Sequence, residues 1–277
     1  MMNFEAKERV RKIATVLTLL LPLCFVFLPY FWMTLSSVSP EKDLFSDHSI
    51  PSSLTLRHYQ KLFDRTIFGR QFLNSSIVAI IATIICLVVS CLAGYSLSRF
   101  RHRWNFERFM LIIYTIPPVL MVIPILLLFT RIGLTNTYLG LALGHSTFML
   151  PFSALIMAAY FNNIPSTLDE AAMVDGMGRI GALVRIVLPL ALPGIAATGV
   201  IIFANSWNDY LFAYTLIAEK GMQTLPVGVA ELAEGQTLEW GMLMSAAVMI
   251  TLPMLVFFLF VQKRLLAGFI FAVTGEK

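Results

Sequence analysis

The residues best placed to do chemistry lie in one polar stretch between apolar runs, residues 162–176, reading Asn-Asn-Ile-Pro-Ser-Thr-Leu-Asp-Glu-Ala-Ala-Met-Val-Asp-Gly. Thr167 and Glu170 stand at the T-x-x-E spacing of a capping box, in which hydroxyl and carboxylate each accept from an otherwise unpaired backbone N–H. A short helix is therefore expected to start there. Ala171 and Ala172 favour helix and carry little bulk, whereas Gly176 and Gly178 end or bend it. Such a helix can enter a groove on a partner through its i, i+3 and i+4 positions. The same residues also suit a capped helix lying on a membrane surface, and local chemistry alone allows both readings.

A second set is Asn205, Trp207, Asn208 and Asp209. An aromatic face beside amide and carboxylate groups suits sugar hydroxyls, by stacking and by hydrogen bonds that fix orientation. Against that reading, Trp gathers at membrane interfaces, and Asn208 or Asp209 can serve as a helix cap. His145, in Gly144-His145-Ser146-Thr147, is the one clear ionisable candidate within an apolar run. A neutral histidine bonded to a neighbouring helix is favoured over a proton relay.

Other chemistries lack their residues. No G-x-x-x-x-G-K-[ST] phosphate loop occurs, and Gly275-Glu276-Lys277 has neither its spacing nor its hydroxyl, so the chain is not expected to be an ATPase. No H-E-x-x-H or G-x-S-x-G constellation points to an enzyme. Cys24, Cys86 and Cys91 sit in apolar runs without metal-ligand spacing and are expected to be packing residues.

The elements that position these residues follow from composition. Of 277 residues 58% are hydrophobic and 13% charged, with mean hydropathy +0.79, against about 25% charged in a soluble domain. Runs long enough to cross a hydrocarbon core fall at 13–35, 72–98, 109–130, 139–161, 190–206 and 241–261. They are continuous rather than alternating, which excludes a barrel. A single all-α membrane domain over 1–277 is expected, with six transmembrane helices and a cytoplasmic loop at 162–189. The first run follows Lys7, Arg9, Arg11 and Lys12 but is too long for a signal h-region, and is kept as an uncleaved span. Basic residues beside alternate loops place both termini and the Glu170 stretch on the cytoplasmic side. Pro117, Pro118 and Pro124 interrupt the third run, as a flexing point or a packed kink.

The residues Glu170-Ala171-Ala172, Asp175-Gly176 and Leu188-Pro189 resemble the "EAA" loop of permease subunits of ATP-binding-cassette importers. Asn74-Ser75, Ala93-Gly94-Tyr95 with Arg99, Ile116-Pro117-Pro118, Gly133-Leu134, Asn136-Thr137-Tyr138-Leu139, Trp207-Asn208-Asp209 and Thr224-Leu225-Pro226 resemble the smaller permease of the maltose-type, carbohydrate-importing class. The similarity spans nearly the whole chain. It departs at 267–275, where the family often carries a Gly/Ala/Lys-rich tail.

The resemblance implies the type I importer permease fold in a bacterial or archaeal inner membrane. It implies that Glu170, Ala171, Ala172, Asp175, Gly176, Leu188 and Pro189 belong to a coupling helix and its continuation, seated on a cytoplasmic ATPase subunit. The implied partners are a second, larger permease forming a heterodimer, two ATPase subunits that bind ATP and Mg, and an extracytoplasmic solute-binding protein. This chain itself would bind no cofactor. A sugar or oligosaccharide is the expected solute, with a polyol or glycerol phosphate as the alternative. An ATP-independent secondary carrier is disfavoured by the lack of inverted repeats and of deep ionisable residues.

Overall fold

A computed structural model describes residues 4–46, 51–100, 103–235 and 239–274, and every regular element among them is helical. In chain order these are α1 (Phe4–Ser37), α2 (Glu41–Leu44), α3 (Arg57–Arg65), α4 (Phe68–Arg99), α5 (Arg103–Thr115), α6 (Pro118–Arg131), α7 (Tyr138–Asn162), α8 (Thr167–Val174) and α9 (Arg179–Ala182). A π-helical turn, Leu183–Val187, leads to α10 (Leu188–Leu190), α11 (Leu192–Trp207), α12 (Leu211–Leu216), α13 (Leu225–Glu234) and α14 (Trp240–Thr274). Lipid imposes this choice, because a helix satisfies its backbone groups within its own segment.

Within α1, α4, α7 and α14 lie four stretches long and apolar enough to cross a membrane. Two more spans are reached only by bent pairs: α5 with α6, at 93°, and Arg179–Leu190 with α11, at 81°. The six predicted runs fall on these four helices and two pairs. The first break has a local cause. Pro118 forces the residue before it out of the helical region, and Pro117 sits at φ −60°, ψ 130°. Pro124, Pro151 and Pro253 lie inside continuous helices. At the second break Ala191 has φ −87°, ψ 4°, between Pro189 and Pro193. Pro193 has no N–H to continue the ladder across it.

Residues up to 66 together with 232–251 pack as one compact unit, and 67–231 with 252 onward as another. In the first, His58 Nε2 lies 2.8 Å from the Ser39 carbonyl oxygen, and Ser37 Oγ lies 2.9 Å from Tyr59 Oη. A Cβ at Gly241 would meet the His58 ring at 2.3 Å. Lys61 pairs closely with Glu239, Arg65 reaches the same carboxylate at 3.1 Å, and Glu41 stands 3.6 Å from Lys61. The hydrogen bond from Lys61 holds the Glu239 carboxyl below its ordinary value of 4.5, against an opposing effect of burial.

The second unit is organised on α4 and α7, which lie against each other. A Cβ at Gly94 would stand 2.7 Å from Met157 Cβ and 2.8 Å from Ala158 N, so only glycine permits this approach. One apolar cluster joins Val78, Ala82, Ile125, Phe129, Leu141 and Phe212. Another joins Cys91, Tyr95, Met157 and Phe161 to Leu183 and Val187 of the π-helical turn. Between α6 and α7, Gly133 and Asn136 adopt positive φ, and Asn136 Oδ1 accepts from the N–H groups of Ala218 (2.7 Å) and Glu219 (3.0 Å). Tyr138 Oη donates to Asn74 Oδ1 (2.7 Å), whose Nδ2 donates to the carbonyls of Gln223 (2.8 Å) and Gly221 (3.1 Å). Ser75 Oγ accepts from Leu225 N at 2.8 Å. Motifs scattered through the sequence thus meet in one polar cluster.

Large apolar side chains stay exposed along α1 and α4, among them Leu21, Phe25, Leu28, Ile80, Ile84 and Val88. Apolar surface this extensive is not held in water by a soluble monomer. Lipid or partner helices must cover it.

Candidate functional site, an exposed helix clamped by Arg99

The polar stretch folds as α8, eight residues framed by distinct entry and exit turns. The entry differs from the expected capping box. Ser166 already has helical dihedrals, φ −64°, ψ −20°, and makes no side-chain cap. Thr167 is then the first helical residue, whereas a capping box needs its hydroxyl residue at an extended N-cap. Chain entry is instead made by main-chain bonds, Leu168 N to Pro165 O (3.2 Å) and Glu170 N to Ser166 O (3.1 Å).

The exit is a Schellman motif. Gly176 N donates to Met173 O (3.1 Å) and Met177 N to Ala172 O (2.9 Å). Gly176 takes the left-handed position at φ +85°. An added Cβ there would meet nothing within 4 Å, so the requirement for glycine is one of backbone conformation alone.

Asp169 and Ala172 form the buried face of α8, at 3% and 2% exposure. Glu170, Ala171, Asp175 and Gly176 are exposed, and so are Leu168 and Val174. Val174 is 88% exposed. Leu168, Ala171 and Val174 recur every three residues, giving an apolar stripe with Glu170 beside it.

The buried face is held by Arg99, the last residue of α4. Its Nε donates to Asp169 Oδ2, Nη1 to Phe161 O (3.2 Å) and Nη2 to Ile164 O (3.0 Å). One guanidinium thereby ties the end of α4, the end of α7 and α8 together. A planar fork of fixed donors is suited to this, and a lysine ammonium is not. Asp169 Oδ1 is buried and has no hydrogen-bond partner among the described residues. A cleft of about 230 Å³ opens beside the clamp, lined by Tyr95, Arg99, Ser166, Asp169, Glu170 and Arg179. The Arg179 guanidinium lies 5.0 Å from the centre of the Phe100 ring. Leu188 is half-buried against the second cluster, and Pro189, ahead of the 81° bend, is exposed.

Asp169 carries no role in the sequence reading, though a signal for it exists. It shares a helix face with Ala172, three residues on, and a carboxylate on the buried face requires a cation. Arg99, at the end of an apolar span, is a ready donor.

The second predicted set divides. His145 is buried, with Nδ1 2.7 Å from Ser206 Oγ on α11. Its Nε2 lies 3.1 Å from Asp209 Oδ1 without the alignment of a hydrogen bond. Asp209 Oδ1 instead accepts from Phe212 N (3.0 Å) and Ala213 N (3.3 Å), capping α12. Trp207 is 1% exposed, edge-on to Phe72 at 5.5 Å and stacked on Phe203 at 5.7 Å. Asn205 and Asn208 are exposed and donate to Ile201 O (2.8 Å) and Ala204 O (2.9 Å). The indole and the two amides therefore do not share a surface. Among the described residues no group of three His, Cys, Asp or Glu could hold a metal ion.

Among the described residues, several apolar helices long enough to cross a membrane, large exposed apolar faces and one short helix clamped at the ends of α4 and α7 define an integral membrane protein. Residues 86–269, which contain α8, match the family model of the binding-protein-dependent transport system inner membrane component, and the chain belongs to that family. It is 30% identical over 268 residues to the inner membrane ABC transporter permease YcjP of Escherichia coli, covering 95% of this chain and 96% of that protein. It is 32% identical over 248 residues to the trehalose transport system permease SugB of Mycobacterium tuberculosis, covering 88% and 90%. It is 31% identical over 268 residues to the trehalose/maltose transport system permease MalG of Thermococcus litoralis, covering 95% and 96%. The fold matches a chain in the crystal structure of a bacterial ABC transporter that imports the acidic polysaccharide alginate, with TM-score 0.78 and 19% identity over 95% of this chain and 99% of that one. The chain is a multi-pass inner membrane permease subunit, a non-catalytic component of an ABC transport system.

Proposed function

We propose that this chain forms half of the translocation path of an ATP-driven importer for a sugar or oligosaccharide, and that α8 couples it to a cytoplasmic ATPase. The observation that carries the coupling is the two-sided character of α8. One face is pinned by a buried ion pair, while the other presents Leu168, Ala171 and Val174 to solvent. An apolar i, i+3 stripe of this kind is the contact surface of a helix seated in a groove. ATP and Mg are bound by two partner ATPase subunits, a second permease completes the path, and a solute-binding protein delivers the solute from outside. Both chain termini lie on the cytoplasmic side.

The solute class is supported by the relatives, whose names give trehalose, trehalose/maltose, sulfoquinovosyl glycerol and diacetylchitobiose. The test is the assembled complex in proteoliposomes, with its binding protein loaded with trehalose, maltose or diacetylchitobiose in turn. Stimulated ATP hydrolysis with uptake of one of them supports the reading. Hydrolysis stimulated only by a polyol or glycerol phosphate reassigns the solute.

A further inference from the structure

We infer that the Arg99–Asp169 pair is the positioning device that makes α8, the end of α4 and the end of α7 a single rigid body, so that displacement of α8 passes to these two spans without loss. The inference rests on the reading of α8 as the ATPase contact and specifies the route by which its motion leaves the helix.

Three observations converge on it. Arg99 uses three donors on three targets: the α8 carboxylate and the carbonyls of Phe161 and Ile164 on either side of the α7 terminus. Its own helix is already locked to α7 where Gly94 meets Met157 and Ala158, and where the Tyr95 and Phe161 rings lie edge-on at 6.1 Å. The route past Gly176 is different in kind. There the left-handed Gly176, α9, the π-helical turn and α10 stand in succession between α8 and α11, whereas Arg99 joins α8 to the ends of α4 and α7 directly. The clamp thus ties α8 to α4 and α7 by direct side-chain bonds, while its link to α11 runs through successive short segments.

The test places spin labels at Ser96→Cys on α4 and Thr167→Cys on α8, both exposed positions, in the full complex with its ATPase subunits. The distance distribution is measured without nucleotide and with ATP and vanadate. With native Arg99 and Asp169 the peak is expected to hold its position and width in both states. Asp169→Asn, which keeps shape and removes charge, is expected to at least double the width. Asp169→Glu, which restores the charge, is expected to recover a single narrow peak. A native peak that shifts between the two states overturns the proposal, as does an Asp169→Asn distribution as narrow as the native one. Should Asp169→Asn fail to reach the membrane, Arg99→Lys replaces it and carries the same expectation of broadening. ATPase retained on the same complex is scored separately. Loss of the ATPase contact reading shows there as assembly indifferent to α8, whereas failure of the clamp shows as intact assembly with unaltered distances.

Discussion

The guanidinium of Arg99 closes on the carboxylate of Asp169, 70 residues further along the chain, and both side chains are almost out of reach of solvent. A surface pair would be nearly neutral, but a buried one behaves differently once a partner is removed. Asp169→Ala leaves a charged guanidinium buried with only two carbonyls to answer it, and is expected to cost about 3 kcal/mol. Thermal unfolding in mild detergent should show a lower midpoint for Asp169→Ala than for Glu170→Ala, whose side chain is exposed. Equal midpoints would contradict the clamp.

At Gly176 the strain is conformational. Alanine or valine there must adopt φ near the observed +85°, at about 1–2 kcal/mol, with space for the side chain itself. Gly176→Val is therefore expected to weaken ATPase retention, and Gly176→Asn, which tolerates the left-handed region, to retain most of it. Retention measured by co-purification should rank glycine, asparagine, valine.

Two glycines of the spans should respond in opposite ways. Gly94→Ala drives a Cβ against the α7 backbone at 2.8 Å, where nothing can yield, and should cost about 1–3 kcal/mol by overpacking. Gly199→Ala meets only the flexible end of Leu87 at 3.3 Å and should be tolerated. Folded yield by size-exclusion chromatography distinguishes them.

The Glu239 carboxyl titrates below its ordinary 4.5, held there first by the hydrogen bond from Lys61. A depressed folded value means the pair stabilises the protein above pH 4.5 and loses that contribution as pH falls through the folded value. Glu239→Gln should lower the unfolding midpoint at pH 7, and the difference from native protein should shrink as the pH drops below 4.5. A difference unchanged down to pH 3 would contradict the assignment, since by then the unfolded-state carboxyl is largely protonated.

Spans were legible because a hydrocarbon solvent writes itself into composition over about 20 residues. The breaks were only half legible. Pro117-Pro118 marks the 93° bend, yet Pro124, Pro151 and Pro253 sit in unbroken helices, so proline alone does not locate a break. α8 itself was readable, and so was its end at Gly176, because the left-handed cap has a residue signature. Its start near Thr167 was readable too, but not its chemistry, because the capping-box pattern does not show that Ser166 already has helical dihedrals. For Trp207 the sequence allows a sugar-stacking ring or an interfacial aromatic, and the side chain packs inward against Phe72 and Phe203. Which side of α11 it occupies depends on neighbours far away in sequence. The same is true of Asp169 and Arg99, and of Tyr138 with Asn74. Periodicity reports a buried face, not the partner that fills it.

The coupling role of α8 is tested most directly by purifying the tagged chain with its neighbouring gene products in mild detergent and assaying bound ATPase, native against Ala171→Trp. Ala171 is exposed on the free face of α8 and takes no part in the clamp, so the larger side chain should leave the fold intact. The account predicts that the native chain retains an ATPase stimulated by loaded solute-binding protein and that Ala171→Trp, equally well folded, loses it. Undiminished ATPase on Ala171→Trp, or a native chain that carries solute alone without ATP, would contradict it.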